Sequence, residues 1–265
     1  MSGPVSDRDP VRAGSEADDA VHDDVEVVEA RQADVGGMAV ARALPRRARR
    51  TVGAWCFADH FGPAAVAAAA MQVGPHPHIG LHTATWIIEG EVVHRDSLGT
   101  QQPIRPGQLN LMTAGRGVSH AEETPASRVD TLEGVQLWLA QPDATRFGDP
   151  AFAHHGELPR DDVDGATVTV FLGAVAGLTS AAELDVEVVG AEIELHGPAT
   201  LPVDPSYEHA VLTLGSSVSV RDRAVGPAHL VYLAPGRDEI DIARRRTAVP
   251  PACSSWGVCR SRRSC

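Results

Sequence analysis

Residues 74–80 read Gly-Pro-His-Pro-His-Ile-Gly and residues 115–122 read Gly-Arg-Gly-Val-Ser-His-Ala-Glu, and these two segments decide the fold. Each segment carries two possible metal ligands at positions i and i+2. Residues two apart on an extended strand point to the same face, so each pair shares a face. If the two strands pair in one barrel, four ligands converge on one point: His76, His78, His120 and Glu122.

The sequence between the two segments is typical of β-hairpins. Residues 83–88 and 91–94 are strand-like, and turn signals follow at Asp96-Ser-Leu-Gly99 and Pro106-Gly107. Short strands separated by Gly or Pro turns at a spacing of about ten residues are typical of an all-β barrel or jelly roll. The region therefore predicts a hairpin-rich scaffold that presents three imidazoles and one carboxylate.

This set of ligands suits a borderline first-row ion such as Fe(II), Mn, Co, Ni, Cu or Zn. No cysteine lies between residues 74 and 122, so a thiolate zinc site is disfavoured. Four ligands on an octahedral ion leave two positions for water, O₂ or a chelating substrate, unlike a closed structural site. A single His-x-His motif is weak support because histidines are common, and the second pair with the same spacing strengthens it.

Composition limits the function classes. The chain has 265 residues, enough for two domains of about 100 residues or one larger domain. Its formal net charge of −12 argues against direct nucleic-acid binding, which needs a basic surface. No apolar run has the length of a membrane span, and the acidic N-terminus lacks the apolar core of a secretory signal. We therefore expect a cytoplasmic, monomeric protein without membrane contact.

Changes in composition divide the chain into five regions. Residues 1–24 are acidic and poor in apolar side chains, which predicts disorder. Residues 25–141 form a first barrel that contains the ligand pairs, and residues 142–164 form a polar linker with prolines. Residues 165–243 alternate again and predict a second barrel, and residues 244–265 form an atypical basic and cysteine-containing tail.

The second barrel looks like an internal repeat without a metal site. At the position of the first barrel's His-x-His motif it carries Glu208 and His209, which are adjacent and therefore face opposite sides of a strand. We expect this barrel to pack against the first one and to shape the rim of its cleft.

The tail contains six arginines, three of the four cysteines and no acidic residue. One interpretation is a frameshifted end, favoured because the tail shows neither strand alternation nor metal-type cysteine spacing. The alternative is a genuine tail that binds a metal or an acidic partner. The fourth cysteine, Cys56, stands alone in the body of the chain, so a disulfide framework is not indicated.

Several motifs resemble the pirin family of bicupins. They are Trp55-Cys-Phe-Ala-Asp-His-Phe-Gly-Pro63, the segment 74–80, Glu89-Gly-Glu91, His94-Arg-Asp-Ser-Leu-Gly99, Met112-Thr-Ala-Gly-Arg-Gly-Val-Ser-His-Ala-Glu122 and Leu132-Glu-Gly-Val-Gln-Leu-Trp-Leu139. The similarity covers about residues 25–245 and is dense over residues 55–140. It implies an all-β fold of two packed cupin barrels with few short helices, and one mononuclear metal in the N-terminal barrel.

Carried over residue by residue, the resemblance implies that His76, His78, His120 and Glu122 bind one divalent transition metal. Fe(II) is the first choice because family members carry iron, and Mn, Ni, Cu, Co or Zn are alternatives. Some members cleave quercetin with O₂, which implies a small aromatic or enediol substrate and a catalytic role for Glu122 as a base. Others act as transcriptional cofactors or bind metabolic enzymes, so a non-enzymatic metal- or redox-sensing regulator with a protein partner is the alternative function.

The chain departs from the family after the first ligand pair. The family pattern usually reads His-Arg-Gly-Phe-Glu-Thr, where this chain reads His78-Ile-Gly-Leu-His-Thr83. Because alternate residues of a strand share a face, His82 is expected on the same face as His76 and His78. This predicts a second catalytic base, a substrate contact or a further ligand. The opposing interpretation is a structural histidine satisfied by the backbone. The absent arginine at position 79 alters the charge near the rim, so the substrate does not carry over.

Overall fold

A computed structural model describes residues 1–4, 25–66, 71–125 and 130–245 of the chain. Every element with defined bounds in these ranges is a β-strand, which confirms the all-β prediction. Among these residues no helix is long and apolar enough to cross a membrane. The predicted disorder of residues 5–24 and the predicted tail from residue 246 onward lie outside the described residues.

The first barrel is built from two facing antiparallel sheets, with strands numbered in chain order. The larger sheet contains, in spatial order, β13 (Ala151–His155), β10 (Leu109–Thr113), β7 (Leu81–Glu89), β12 (Thr131–Ala140), β5 (Trp55–Ala65), β4 (Met38–Leu44) and β3 (Arg31–Val35). The smaller sheet contains β6 (Gln72–His78), β11 (Val118–Glu123), β8 (Val92–Asp96) and β9 (Gln101–Ile104). Met38, Phe61 and Ile87 belong to one buried apolar cluster of this barrel.

The second barrel contains three further sheets and one short hairpin. The first sheet comprises β1 (Ser2–Pro4), β20 (Tyr207–Thr213), β23 (His229–Leu233) and β2 (Val25–Glu29). The second comprises β14 (Arg160–Val163), β15 (Ala166–Leu172) and β18 (Gly190–Leu195). The third comprises β19 (Ala199–Pro202), β24 (Glu239–Arg244), β21 (Val218–Val220) and β22 (Arg223–Val225), and the hairpin pairs β16 (Ala174–Val175) with β17 (Leu178–Thr179). The two-barrel prediction is therefore confirmed.

The first strands of the chain pair with the second barrel. In β2, Val25 lies opposite Leu233 of β23, and in β1, Ser2 lies opposite His209 of β20. Ser2–Pro4 is thus a strand, whereas the composition predicts disorder from residue 1. The other predicted domain boundaries stay a prediction. Within the predicted linker, β13 pairs with β10 of the first barrel and β14 pairs with β15 of the second.

The two barrels share one apolar core. Trp86 of β7 and Phe171 of β15 are both buried, and their rings stack with centroids 4.9 Å apart at an interplanar angle of 24°. Val28 of β2 and Leu230 of β23 belong to the same cluster. Burial of large aromatic side chains is a major favourable term in such an interface, so this cluster fixes the two barrels against each other.

Strand β7 separates this shared core from the interior of the first barrel. Ile87 belongs to the core of the first barrel, and Thr85 on the same face donates a hydrogen bond to Glu122 of the smaller sheet. Ala84 and Trp86 belong to the shared core on the opposite face. The alternation of the strand therefore assigns odd-numbered residues to the ligand side and even-numbered residues to the second barrel.

Candidate metal centre

The two predicted ligand segments lie on neighbouring strands of the smaller sheet. Strands β6 and β11 are antiparallel, with His76 opposite His120 and His78 opposite Val118. The register shifts between His120 and Glu122, which is the irregularity expected of a β-bulge. His78, His120 and Glu122 are buried, and His76 is half-buried.

Three imidazoles converge between these strands. The donor nitrogens of His76, His78 and His120 all lie within 4.8 Å of one another. Nε2 of His78 lies 3.0 Å from Nε2 of His120, and the His76 ring centroid lies 4.5 Å from that of His120. The structure thus brings together three of the four side chains that strand alternation indicates.

The two buried rings are neutral at pH 7. Burial, followed by the charge of His76, lowers the pKa of His78 to about 4. Burial, followed by the charges of His76, His94 and His78, lowers the pKa of His120 to about 2. Neutral imidazole is the form that binds a transition metal, so neither ring needs to lose a proton to become a ligand.

The donor atoms lie close enough together to bind one transition-metal ion. The Nδ1–H of His76 donates to the carbonyl oxygen of Gly74 at 2.9 Å, so Nε2 is the nitrogen that the neutral ring would offer to a metal. Adjacent nitrogens on an octahedral ion lie about 3 Å apart when each metal–nitrogen distance is about 2.1 Å. The 3.0 Å separation between Nε2 of His78 and Nε2 of His120 matches that spacing.

Glu122, the fourth predicted ligand, lies beside His120. Its carboxylate groups with the nitrogens of His94 and His120, all within 4.8 Å, and accepts a hydrogen bond from Thr85 Oγ1 at 3.0 Å. Burial raises the pKa of Glu122, while the charge of His94, the Thr85 hydrogen bond and the charge of His76 oppose that rise. Glu122 is therefore a buried carboxylate next to a group of imidazoles.

His94 was missed as a site residue in the sequence. It is buried on β8, directly opposite Glu122 of β11, and its Nδ1 lies 3.2 Å from Nδ1 of His120. Its Nε2 lies 3.1 Å from Oδ2 of Asp96, and its ring stacks on Phe152 with centroids 4.6 Å apart. The signal available in the sequence was the His94-x-Asp96 spacing, which puts both side chains on one face of a strand.

The carboxylate of Asp96 has several hydrogen-bond partners. Its Oδ1 accepts hydrogen bonds from the backbone N–H groups of Leu98 and Thr100 at 2.9 and 3.0 Å. Burial acts to raise the pKa of Asp96, but hydrogen bonds from His94, Thr100 and Leu98 outweigh it and hold this pKa below its ordinary value. Asp96 is therefore ionised at neutral pH.

His82 lies on the opposite face of β7 from the ligands. Its Nδ1 lies 2.9 Å from Thr113 Oγ1, and its Nε2 lies 2.6 Å from Oδ1 of Asp185, a residue that follows β17. The prediction that His82 shares a face with His78 fails, because strand alternation does not continue from β6 to β7. Gly80, with φ of 67°, separates the two strands, and they belong to different sheets. A catalytic role for His82 stays a prediction of the sequence. Its observed partners are the side chains of Thr113 and Asp185, whereas the sequence analysis expected the metal, the substrate or the backbone.

An aromatic wall stands beside the cluster. Phe57 of β5 and Trp138 of β12 stack with ring centroids 3.9 Å apart, and His78 meets the Trp138 ring edge-on at 4.9 Å. The indole Nε1 of Trp138 is buried and has no hydrogen-bond partner within the described part of the chain. The half-buried indole of Trp138 therefore lies next to the imidazoles and packs on Phe57.

The corresponding residues of the second barrel have structural partners. Glu208 accepts a hydrogen bond from the backbone N–H of Gly53 at 2.9 Å. The two ring nitrogens of His209 lie 2.7 Å from Ser2 Oγ and 2.9 Å from the carbonyl oxygen of Asp204. These contacts tie the first strands and loops of the chain to the second barrel.

A separate cavity of about 510 Å³ lies between the two barrels. Its lining includes Trp86, Ile88, Phe171 and Leu212, and none of the predicted ligands. The candidate metal centre is thus distinct from this cavity.

Comparison with known proteins points to one family. The sequence profile described as Pirin matches residues 37–139. A Pseudomonas aeruginosa protein with the provisional name quercetin 2,3-dioxygenase is 46% identical over 220 residues, which cover 81% of this chain and 69% of the relative. A Pirin-like protein of Caulobacter vibrioides is 35% identical over 232 residues, covering 84% of this chain and 81% of the relative.

A solved structure supports the same grouping. The crystal structure of a quercetin 2,3-dioxygenase from Acinetobacter baumannii superimposes with a TM-score of 0.80 at 39% sequence identity. The match covers 84% of this chain and 75% of that chain.

Proposed function

Because the chain belongs to the pirin family, we propose that it is a metal-dependent dioxygenase of the quercetinase type. Its substrates are O₂ and a flavonol or another small enediol-like aromatic molecule. The observation that carries this proposal is the convergence of three imidazoles, two of them buried, next to a buried carboxylate and an aromatic wall. Two of the relatives found bear quercetin dioxygenase names, which supports the same reaction class.

The residues that would hold the metal are His76, His78, His120 and Glu122, with Fe(II) as the proposed ion. When bound, such an ion acts as a Lewis acid that lowers the pKa of a substrate hydroxyl and withdraws charge from it. The protein contributes neutral nitrogen donors that need no deprotonation, because the pKa values of His78 and His120 are already low.

Glu122 is suited to take the proton from a substrate hydroxyl when its carboxylate is not bound to the metal. A general base works best when its pKa lies near the working pH, and burial moves the pKa of Glu122 upward in that direction. Thr85 Oγ1 donates to one carboxylate oxygen and so fixes the orientation of the group. The proton accepted by Glu122 stays in a buried environment from which water is largely excluded.

The aromatic wall orients a flat substrate. Trp138, which stacks on Phe57, would offer its indole to the aromatic ring of the substrate, and offset stacking adds about 0.5–1.5 kcal/mol to the burial of area. This stacking would hold the ring edge that carries the reacting hydroxyl toward Glu122 and the imidazoles.

The test is turnover of quercetin by protein loaded with one defined metal. We expect loss of the flavonol absorbance in the presence of O₂ and Fe(II), with consumption of one O₂ per substrate measured by an oxygen electrode. The His76→Ala variant should lose turnover and metal together. His229→Ala is the matched control, because His229 is a partly exposed histidine of the second barrel whose Nδ1–H donates to the Pro227 carbonyl at 2.8 Å.

Absence of turnover in protein fully loaded with Fe, Mn, Ni or Cu would remove the quercetinase proposal. The dioxygenase is favoured over a non-enzymatic regulator, because two similar proteins bear quercetin dioxygenase names. A protein partner, a monomeric state and residence in the cytoplasm stay predictions of the sequence.

A further inference from the structure

We propose that His94 and Asp96 are positioning residues that hold His120 in the tautomer able to bind a metal. The proposal rests on the proposed function only in that His120 is taken as a ligand. It extends that function to a chain of three side chains, Asp96, His94 and His120, that runs across strands β8 and β11.

The chain begins at Asp96, whose side chain is fully buried. Two backbone N–H groups of the turn occupy Oδ1, so Oδ2 is the oxygen that faces His94. An ionised carboxylate only accepts hydrogen bonds. The contact of 3.1 Å therefore requires that Nε2 of His94 carries a proton and donates it.

The next member is His94. When the His94 ring is neutral, only one of its nitrogens carries a proton, so a proton at Nε2 leaves Nδ1 as an acceptor. Nδ1 of His94 lies 3.2 Å from Nδ1 of His120, which must then be the donor. Stacking on Phe152 holds the plane of the His94 ring, so the acceptor stays aimed at His120.

The result is a defined state of His120. With its proton at Nδ1, its unprotonated nitrogen is Nε2, and this is the nitrogen that lies 3.0 Å from Nε2 of His78. Metal-binding histidines commonly donate their other N–H to a carboxylate or another acceptor, which fixes both tautomer and ring orientation. Here the acceptor is a second histidine that is itself fixed by a carboxylate.

Residues of the His94-Arg-Asp-Ser-Leu-Gly99 segment have different roles on the two faces of β8. Asp96 closes the turn between β8 and β9 through its Oδ1 and fixes His94 through its Oδ2. Arg95, which alternates with them, pairs with exposed Glu123 on the outer face of the same two strands. One strand therefore carries the positioning pair on its inner face and an ordinary ion pair on its outer face.

The test substitutes Asp96→Asn. The amide oxygen would keep the two backbone N–H groups of the turn, and the amide N–H₂ would face Nε2 of His94 as a donor. His94 would then carry its proton at Nδ1, and His120 would be forced to carry its own at Nε2, the nitrogen needed by the metal. Glu123→Gln is the matched control, since it makes the same chemical change on the outer face.

Two measurements read the outcome. Long-range ¹H–¹⁵N NMR of the metal-free protein should give the Nδ1–H tautomer of His120 in the wild type and in Glu123→Gln, and the Nε2–H tautomer in Asp96→Asn. Competition titration with Zn(II) and a chromophoric chelator should give a 10- to 100-fold weaker affinity for Asp96→Asn, the size expected for loss of such a partner. Circular dichroism confirms that each variant is folded.

An Nε2–H tautomer of His120 in the metal-free wild type would overturn the proposal, and so would an unchanged Zn(II) affinity in folded Asp96→Asn. The NMR result stands without any metal. A wild type that shows the expected tautomer but binds no Zn(II) would therefore count against the proposed function and not against the positioning chain.

Discussion

Acidification should destabilise the metal-free protein through His120. Its ordinary pKa is 6.5, and burial with the neighbouring imidazoles lowers it to about 2 in the folded chain. Below pH 6.5 the unfolded chain takes up a proton that the folded ring refuses, so stability falls as the pH drops. From these two pKa values, the free energy of unfolding should fall by about 2 kcal/mol between pH 7 and pH 5. Because His120 titrates together with His78 and His94, we expect a loss of about 1–2 kcal/mol.

Urea unfolding at pH 7 and pH 5, after removal of metal with a chelator, measures this effect. In His120→Gln the loss between the two pH values should shrink by about 1–2 kcal/mol relative to the wild type. In the control His209→Gln the loss should also shrink, because burial lowers the pKa of His209 to about 4.

Excess Zn(II) at pH 7, at about 100 times its dissociation constant, should add about 2.7 kcal/mol to the free energy of unfolding of the wild type and of His209→Gln, but not of His120→Gln. An unchanged pH dependence in His120→Gln would refute the reasoning.

Three further predictions concern the barrel interface, a close-packed glycine and the carboxylate. Phe171→Ala should cost about 3–5 kcal/mol in urea unfolding, because it empties the stack on Trp86, and a cost below about 1 kcal/mol would contradict the shared core. Gly134→Ala should lower the melting temperature or abolish soluble expression, since a Cβ there would lie 2.6 Å from Phe61 Cζ; wild-type stability would contradict that packing. Glu122→Gln should leave the metal-free protein at least as stable at pH 7, as burial disfavours the carboxylate, while isothermal titration should show weaker metal binding; unchanged affinity would exclude it as a ligand.

Local periodicity predicted the parts of the site that lie on single strands. His76 and His78 lie on one face of β6 because alternation along a strand is a short-range property, whereas His120 joins them through the pairing of β11 with β6. The same rule failed at His82, since a glycine turn and a change of sheet lie between it and His78. Alternation therefore predicts which side chains share a face within one strand, but not across a turn that leads to another sheet.

Long-range pairing could not be read from one sequence. The partnership of β2 with β23 joins residues about two hundred positions apart, and nothing in the pattern of Val25–Glu29 specifies its partner strand. His94 shows the same limitation at the site, because its role depends on the register that puts it opposite Glu122. Register between strands is set by packing of whole faces, which a local pattern does not contain.

We propose that the imidazoles of the first barrel hold one metal ion. Anomalous diffraction from crystals of protein loaded with a single transition metal tests it most directly. We expect one peak per chain, about 2.0–2.2 Å from Nε2 of His76, His78 and His120 and from a carboxylate oxygen of Glu122. A fully loaded crystal in which the peak lies elsewhere, or in which these histidines do not contact the ion, would contradict the claim.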